Sequence, residues 1–172
     1  MRSYKRINSS DLKRLAEIAR ADRERFFARY PRWSGLYSQR LLCVALCQGA
    51  ALHFIDGARA STRARARYKG VKDFDVWSFF CAHPDEPIRR RRVVARDFGH
   101  PKFGTSSDRP HFIGRKVDLL FKSIDYAPGS GPIASLQRYL TETPTKTARC
   151  LAKKAVVLIE PSRLLGVVAW PT

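Results

Sequence analysis

Acidic residues are scarce in this chain. Its 172 residues include 15 Asp and Glu against 33 Lys and Arg, a formal net charge of +18. That imbalance points to a polyanionic partner, either nucleic acid or an anionic surface. Cysteine is sparse too, and Cys43, Cys47, Cys81 and Cys150 show no paired metal-ligand spacing. Cys43 and Cys47 share one apolar run; as a strand it would hold them about 13 Å apart, too far to bridge. All four therefore read as reduced thiols of a cytoplasmic protein. His53, His83, His100 and His111 are too scattered to suggest a zinc site. No apolar stretch approaches the ~18 residues that cross a bilayer, so no membrane partner is expected. Met1 to Arg6 is basic and runs into a charged helix with no apolar h-region, so it is not read as a signal peptide. A Walker-type spacing of lysine and hydroxyl is missing, and there is no internal repeat.

What remains fits one domain with an α+β fold, a mixed β-sheet flanked by helices. Residues 1–36 read as an N-terminal helix, 37–126 as the core and 127–172 as a C-terminal helical segment. In the first, Ser9 or Ser10 can cap, Asp11 sits in the acidic first turn, and Pro31 is the stop. Leu12, Leu15, Ala16, Ala19, Phe26, Phe27 and Tyr30 recur near helical period, with Lys13, Arg14, Arg20 and Arg23 largely between them. In the last, Ile133, Leu136 and Leu140 mark a short helix. Thr143 caps another, whose stripe runs through Ala148, Leu151, Ala152, Ala155, Val156 and Ile159 to Pro161.

The core carries the chemistry. Leu41 to Cys47 is a continuous apolar run, typical of a strand buried on both faces. Gln48-Gly49-Ala50-Ala51 follows at once and opens a short helix. A buried strand, a glycine turn and a helix N-terminus together can cradle phosphate. Val71 to Phe80 reads as a strand whose alternation puts Asp73 and Asp75 on one face, roughly 6–7 Å apart at Cα. Both acids precede its uncharged part. Gly114 to Lys122 is another apolar strand with one acid, Asp118, near its start. If these strands are neighbours, Asp73, Asp75 and Asp118 converge beside the cradle formed by Gly49 and Ala50. Such a group suits two divalent cations and an in-line displacement at phosphorus.

Two basic stretches flank these strands. Arg63, Arg65, Arg67 and Lys69 alternate with other residues and, if extended, form a one-sided comb able to track a phosphate backbone; Arg89, Arg90, Arg91 and Arg92 form a second block.

Gln48-Gly49-Ala50-Ala51, Asp73-Phe74-Asp75-Val76 and Val117-Asp118-Leu119 together resemble the metal-binding signature of the DNA polymerase beta-like nucleotidyltransferase superfamily. The resemblance spans Leu41 to Phe121 and implies a nucleotidyltransferase-like sheet. It also implies two Mg²⁺ ions, a nucleoside triphosphate substrate, and transfer of a nucleoside monophosphate with release of pyrophosphate. In that pattern Asp73 and Asp75 bind both metals, and Asp118 helps bind the catalytic one and accepts the proton of the acceptor hydroxyl. Ala50 stands where the family has serine, so a hydroxyl contact to phosphate is missing. The gap from Gly49 to Asp73 is also long, and the Arg-rich comb fills it. The acceptor stays open: RNA ends, a protein hydroxyl and a small molecule all fit, and no protein partner is indicated. The competing reading is a non-catalytic module on the same fold that holds RNA or DNA through its arginines.

Overall fold

The apolar run Leu41–Cys47 becomes a central strand in the computed structural model, which describes residues 6–59, 71–88, 93–99, 115–126 and 129–172. The first half of the chain forms α1 (Ser9–Arg29), α2 (Pro31–Tyr37), β1 (Leu41–Cys47), α3 (Gln48–Arg59) and β2 (Phe74–Cys81). The rest forms β3 (Val93–Asp97), β4 (Lys116–Ile124), α4 (Gly131–Glu142), α5 (Lys146–Ala152), β5 (Ala155–Glu160) and β6 (Val168–Trp170). The result is α+β, with six strands among the described residues, in the order β3-β4-β2-β1-β5-β6. β2 and β4 run parallel, and the other pairings are antiparallel.

A strand apolar on both sides needs cover on both sides. On one face Val44, Leu46, Phe74, Val76, Val117 and Leu119 pack with Leu12, Leu15 and Ala19 of α1 and Ala51 and Ile55 of α3. On the other, Cys43, Ala45, Cys47, Trp77, Phe79 and Leu120 pack with Leu136 and Leu140 of α4 and Ala148 and Leu151 of α5. Tyr37, Phe80, Ile88 and Phe121 close a third cluster, against which Phe26, Phe27 and Trp33 pack.

Several boundaries differ from the sequence reading. Asn8, not a serine, caps α1: its side chain accepts from the Asp11 amide at 3.0 Å while Asp11 accepts from the Asn8 amide at 2.9 Å. This reciprocal pair satisfies two amides that the first turn leaves without partners. Pro31 ends no more than α1, because it also occupies the first turn of α2, where a missing N–H costs nothing. The segment 127–172 is not purely helical. Thr145 rather than Thr143 caps α5, which stops at Ala152, and Ala155–Glu160 is a strand paired with β1 and β6. Ala155, Val156, Val157, Leu158 and Ile159 are all buried, the mark of a strand covered on both faces and not of a one-sided stripe. Among the described residues no helix is long and apolar enough to cross a membrane.

Candidate functional site

β1 and β2 are antiparallel, so the end of β1 lies beside the start of β2, with Cys47 opposite Asp75. β4 runs parallel to β2 on its other side, and Asp118 pairs in register with Asp75. Paired residues on neighbouring strands share a face. Asp75 alternates with Trp77 and Phe79, and Asp118 with Leu120, so both carboxylates belong to the face covered by α4 and α5. Asp75 and Asp118 thus share one face of adjacent strands, while Asp73 precedes the first residue of β2.

A cavity of about 670 Å³ opens at this rim. Gln48, Gly49 and Ala50 form its wall at the start of α3, Asp73 and Asp75 its acidic side, and Trp77, Leu120 and Leu151 its apolar floor. Lys72, Lys146 and Lys154 also line it. The two lysines after residue 140 arrive with α5, which the Thr145 side chain starts by accepting from the Ala148 amide at 3.2 Å. Trp170 holds the other end of that helix, donating from Nε1 to the Ala152 carbonyl at 2.8 Å.

The turn from β1 into α3 places Gln48 at φ 64°, the left-handed region that a side chain rarely adopts. Its side chain donates from Nε2 to the Cys150 carbonyl at 3.3 Å, tying the strained turn to α5. Strain of this kind persists where surrounding contacts over-determine it, and it gathers at binding sites. Gly49 itself needs no special φ. A Cβ there would meet only Lys154 Nζ, at 3.9 Å. Protein packing therefore does not require the glycine, and its bare backbone and the positive end of α3 are left facing the cavity beside an ammonium.

Lys116 joins the acidic group. Its Nζ lies 2.9 Å from Asp118 Oδ2 and 3.9 Å from Asp73 Oδ2. Among the described residues, no three or more His, Cys, Asp or Glu side chains are gathered so as to hold a metal ion. An ammonium stands within the group instead. On the β1 side, burial pushes the Cys47 thiol well above its usual range and the nearby Asp75 charge pushes it further, so Cys47 is a neutral neighbour of the acids.

The structure thus brings Asp73, Asp75, Gly49 and Ala50 to one cavity. Asp118 pairs in register with Asp75 but is not among the residues lining that cavity, so the expected convergence of all three acids on it is not found. Arg63, Arg65, Arg67, Lys69 and Arg89 to Arg92 lie outside the described residues. Sequence reasoning missed Lys72, Lys116, Lys146, Lys154 and Gln48. Lys116 was within reach of it: the alternation that pairs Asp73 with Asp75 also puts Lys116 on the face of Asp118. Lys146 and Lys154 carry no local signal, because only the packing of α5 brings them to the rim. Comparison with family models, with curated proteins and with solved structures finds no match to this chain.

Proposed function

We propose that the chain is a metal-dependent nucleotidyltransferase, moving a nucleoside monophosphate from a nucleoside triphosphate to an acceptor hydroxyl with release of pyrophosphate. The supporting observation is the in-register pair Asp75 and Asp118, on parallel neighbouring strands, beside the cavity that Asp73 and the N-terminus of α3 share. Carboxylate oxygens are the donors Mg²⁺ takes, but Lys116 Nζ already occupies Asp118 Oδ2 at 2.9 Å and approaches Asp73 Oδ2 at 3.9 Å. The described residues also gather no three acids around one point, so they do not fit the ion as they stand. When bound, such ions neutralise the polyphosphate and make the attacking oxygen a better nucleophile. The chain's own groups do the rest. Asp73 and Asp75, at the cavity, and Asp118 beside them are the residues that would have to hold such ions. The α3 N-terminus at Gly49 and Ala50, with Lys72, Lys146 and Lys154, binds phosphate oxygens. Trp77, Leu120 and Leu151 keep water from the cavity floor. The Asp118 carboxylate accepts the proton of the acceptor hydroxyl.

The test is incubation of labelled nucleoside triphosphates, one base at a time, with Mg²⁺ and RNA, DNA or protein acceptors. Label transfer and pyrophosphate release that vanish in Asp75→Asn are expected. Equal release from both proteins marks a contaminant.

One observation favours a second reading. Because Lys116 already balances part of the acidic charge, the same cavity can serve as a nucleotide- or nucleic-acid-binding module without turnover. Anion binding that is independent of Mg²⁺, with no transfer to any acceptor, selects that reading.

A further inference from the structure

We propose that the surface where α1 meets α2 is a platform for single-stranded RNA, on which Tyr30 and the Arg29 guanidinium stack against a base while the arginines around them hold phosphates. The surface is separate from the cavity. It is built over Phe80 and Phe121, and Phe80 lies five residues along β2 from Asp75, about 17 Å at the rise of a strand. It therefore stands whether or not the cavity catalyses anything. From Arg25 to Arg40 the chain has four arginines, five aromatic residues and no acid or lysine. Arginine is the cation whose flat head stacks on rings and bases, which an ammonium cannot do. Helical spacing sorts these residues. Arg25 and Arg29 are four apart, as are Phe26 and Tyr30, so the end of α1 carries an arginine row beside an aromatic one. Phe26 meets Phe121 edge-on at 5.1 Å, and Trp33 meets Tyr37, which meets Phe80; these rings serve the fold. Tyr30 does not share that burial. Phe26 braces it at 5.1 Å, yet it stays 43% exposed. The Arg29 guanidinium lies over its ring, 5.5 Å from the centroid, and Arg25 and Arg29 are both exposed. Arg32 pairs with Glu86, which pins the start of α2 beside them. A braced ring with a guanidinium on it offers a base a flat partner, whatever the base. The net +18 charge favours a polyanion over a protein here. Loops and ends of RNA present the unstacked bases that such a ring can reach, and a duplex does not.

The experiment titrates labelled oligouridylate, oligothymidylate and a duplex RNA with the full chain, by fluorescence anisotropy at several salt concentrations, in wild type, Tyr30→Leu, Tyr30→Phe and Arg29→Lys. Stacking releases no counterions, so its loss shifts the log-log salt line without changing the slope. Tyr30→Leu keeps an apolar contact for Phe26 and removes the ring. It should bind oligouridylate about tenfold more weakly at every salt concentration, the scale of one lost base stack. Tyr30→Phe keeps the ring and should stay within about twofold of wild type. Arg29→Lys keeps the charge and loses the plane, and should weaken binding about threefold at unchanged slope. The duplex should bind less tightly than oligouridylate and respond to none of the three. If Tyr30→Leu fails to fold, Arg29→Lys decides. Oligouridylate affinity unchanged in the variants, or an equal loss for the duplex, overturns the platform. Tighter binding of oligothymidylate than of oligouridylate overturns RNA as its occupant. A wild-type protein that binds no oligonucleotide overturns the proposal altogether, and the exposed ring then belongs to a protein interface.

Discussion

At the scale of single residues, alternation along β2 and β4 decides which face carries Asp75 and Asp118. Asp73 lies just before β2, while the shared face of Asp75 and Asp118 was legible because a strand has period two and each stands near the start of an apolar run. Their neighbours were less so, since Lys146 and Lys154 reach the rim only through tertiary packing. Asp75→Asn keeps the shape and removes one charge, so turnover should fall on the order of a thousandfold, a size typical of losing one stabilising group at a reacting centre. Its Tm should stay level or rise, because a carboxylate is removed from an acidic group. Pyrophosphate release and thermal melting measure the two effects. The thiols give an independent check of the cavity. Burial pushes Cys43 up to about 12 and Cys47 well above its usual range, so both stay protonated and inert near neutral pH. Cys150 is exposed and lines the cavity. A maleimide should label Cys150 in the native protein, spare Cys43 and Cys47 until unfolding, and be slowed at Cys150 by Mg²⁺ with a nucleoside triphosphate. Peptide mass mapping reads all three, and fast labelling of Cys43 would contradict the burial argument.

Between elements, the sheet is held by contacts that no local pattern announces. Arg23 looks like one of the charges on the outer face of α1, yet its side chain is only 7% exposed and donates to both carboxylate oxygens of Glu160, at 3.0 and 2.9 Å. The partner lies 137 residues further along, which is why the sequence hides the pair. Arg23→Ala leaves Glu160 half-compensated by Arg20 at 3.9 Å and should cost about 3 kcal/mol in denaturant unfolding. The double variant Arg23→Met with Glu160→Leu should recover most of that loss, because no buried charge is stranded. The same reasoning explains β5, where Ala155 to Ile159 alternates too little to reveal a strand until β1 and β6 cover its edges. α3 carries a pH dependence. Burial first, then the Arg6 charge, lowers His53 from 6.5 to about 4. Above pH 6.5 it is neutral whether folded or unfolded. Between 6.5 and 4 the unfolded chain takes up a proton that the folded chain refuses, so stability falls as pH drops through that window. His53→Gln should flatten this part of the Tm-versus-pH curve, and an unchanged slope would remove His53 from the account.

For the whole molecule the question is where the excess charge acts. At the rim, Lys72, Lys116, Lys146 and Lys154 nearly balance Asp73, Asp75 and Asp118, so the cavity itself holds almost none of the net +18. The excess lies elsewhere on the chain, where it builds a long-range field for a polyanion larger than one nucleotide. Triphosphate and nucleic acid should therefore respond to salt differently. A triphosphate held in the cavity makes a few short contacts, partly shielded from solvent, and its affinity with Mg²⁺ should change little between low and moderate salt. A single-stranded RNA lying across the basic surface displaces counterions at each phosphate contact, and its log-log salt slope should be steep. Arg89 to Arg92 are the sharpest place to look, being four consecutive arginines. If each neutralises one phosphate, at about 0.7 per contact on a single strand, replacing all four with serine should flatten the slope by about 3. Fluorescence anisotropy of a labelled oligonucleotide, titrated at several salt concentrations, gives both slopes. An RNA slope already flat in the wild-type protein would remove nucleic acid as the acceptor, and the +18 charge would then have no polyanion to explain it. A steep wild-type slope unchanged in the serine variant would move the contacts to other basic residues, with the comb from Arg63 to Lys69 the next to replace.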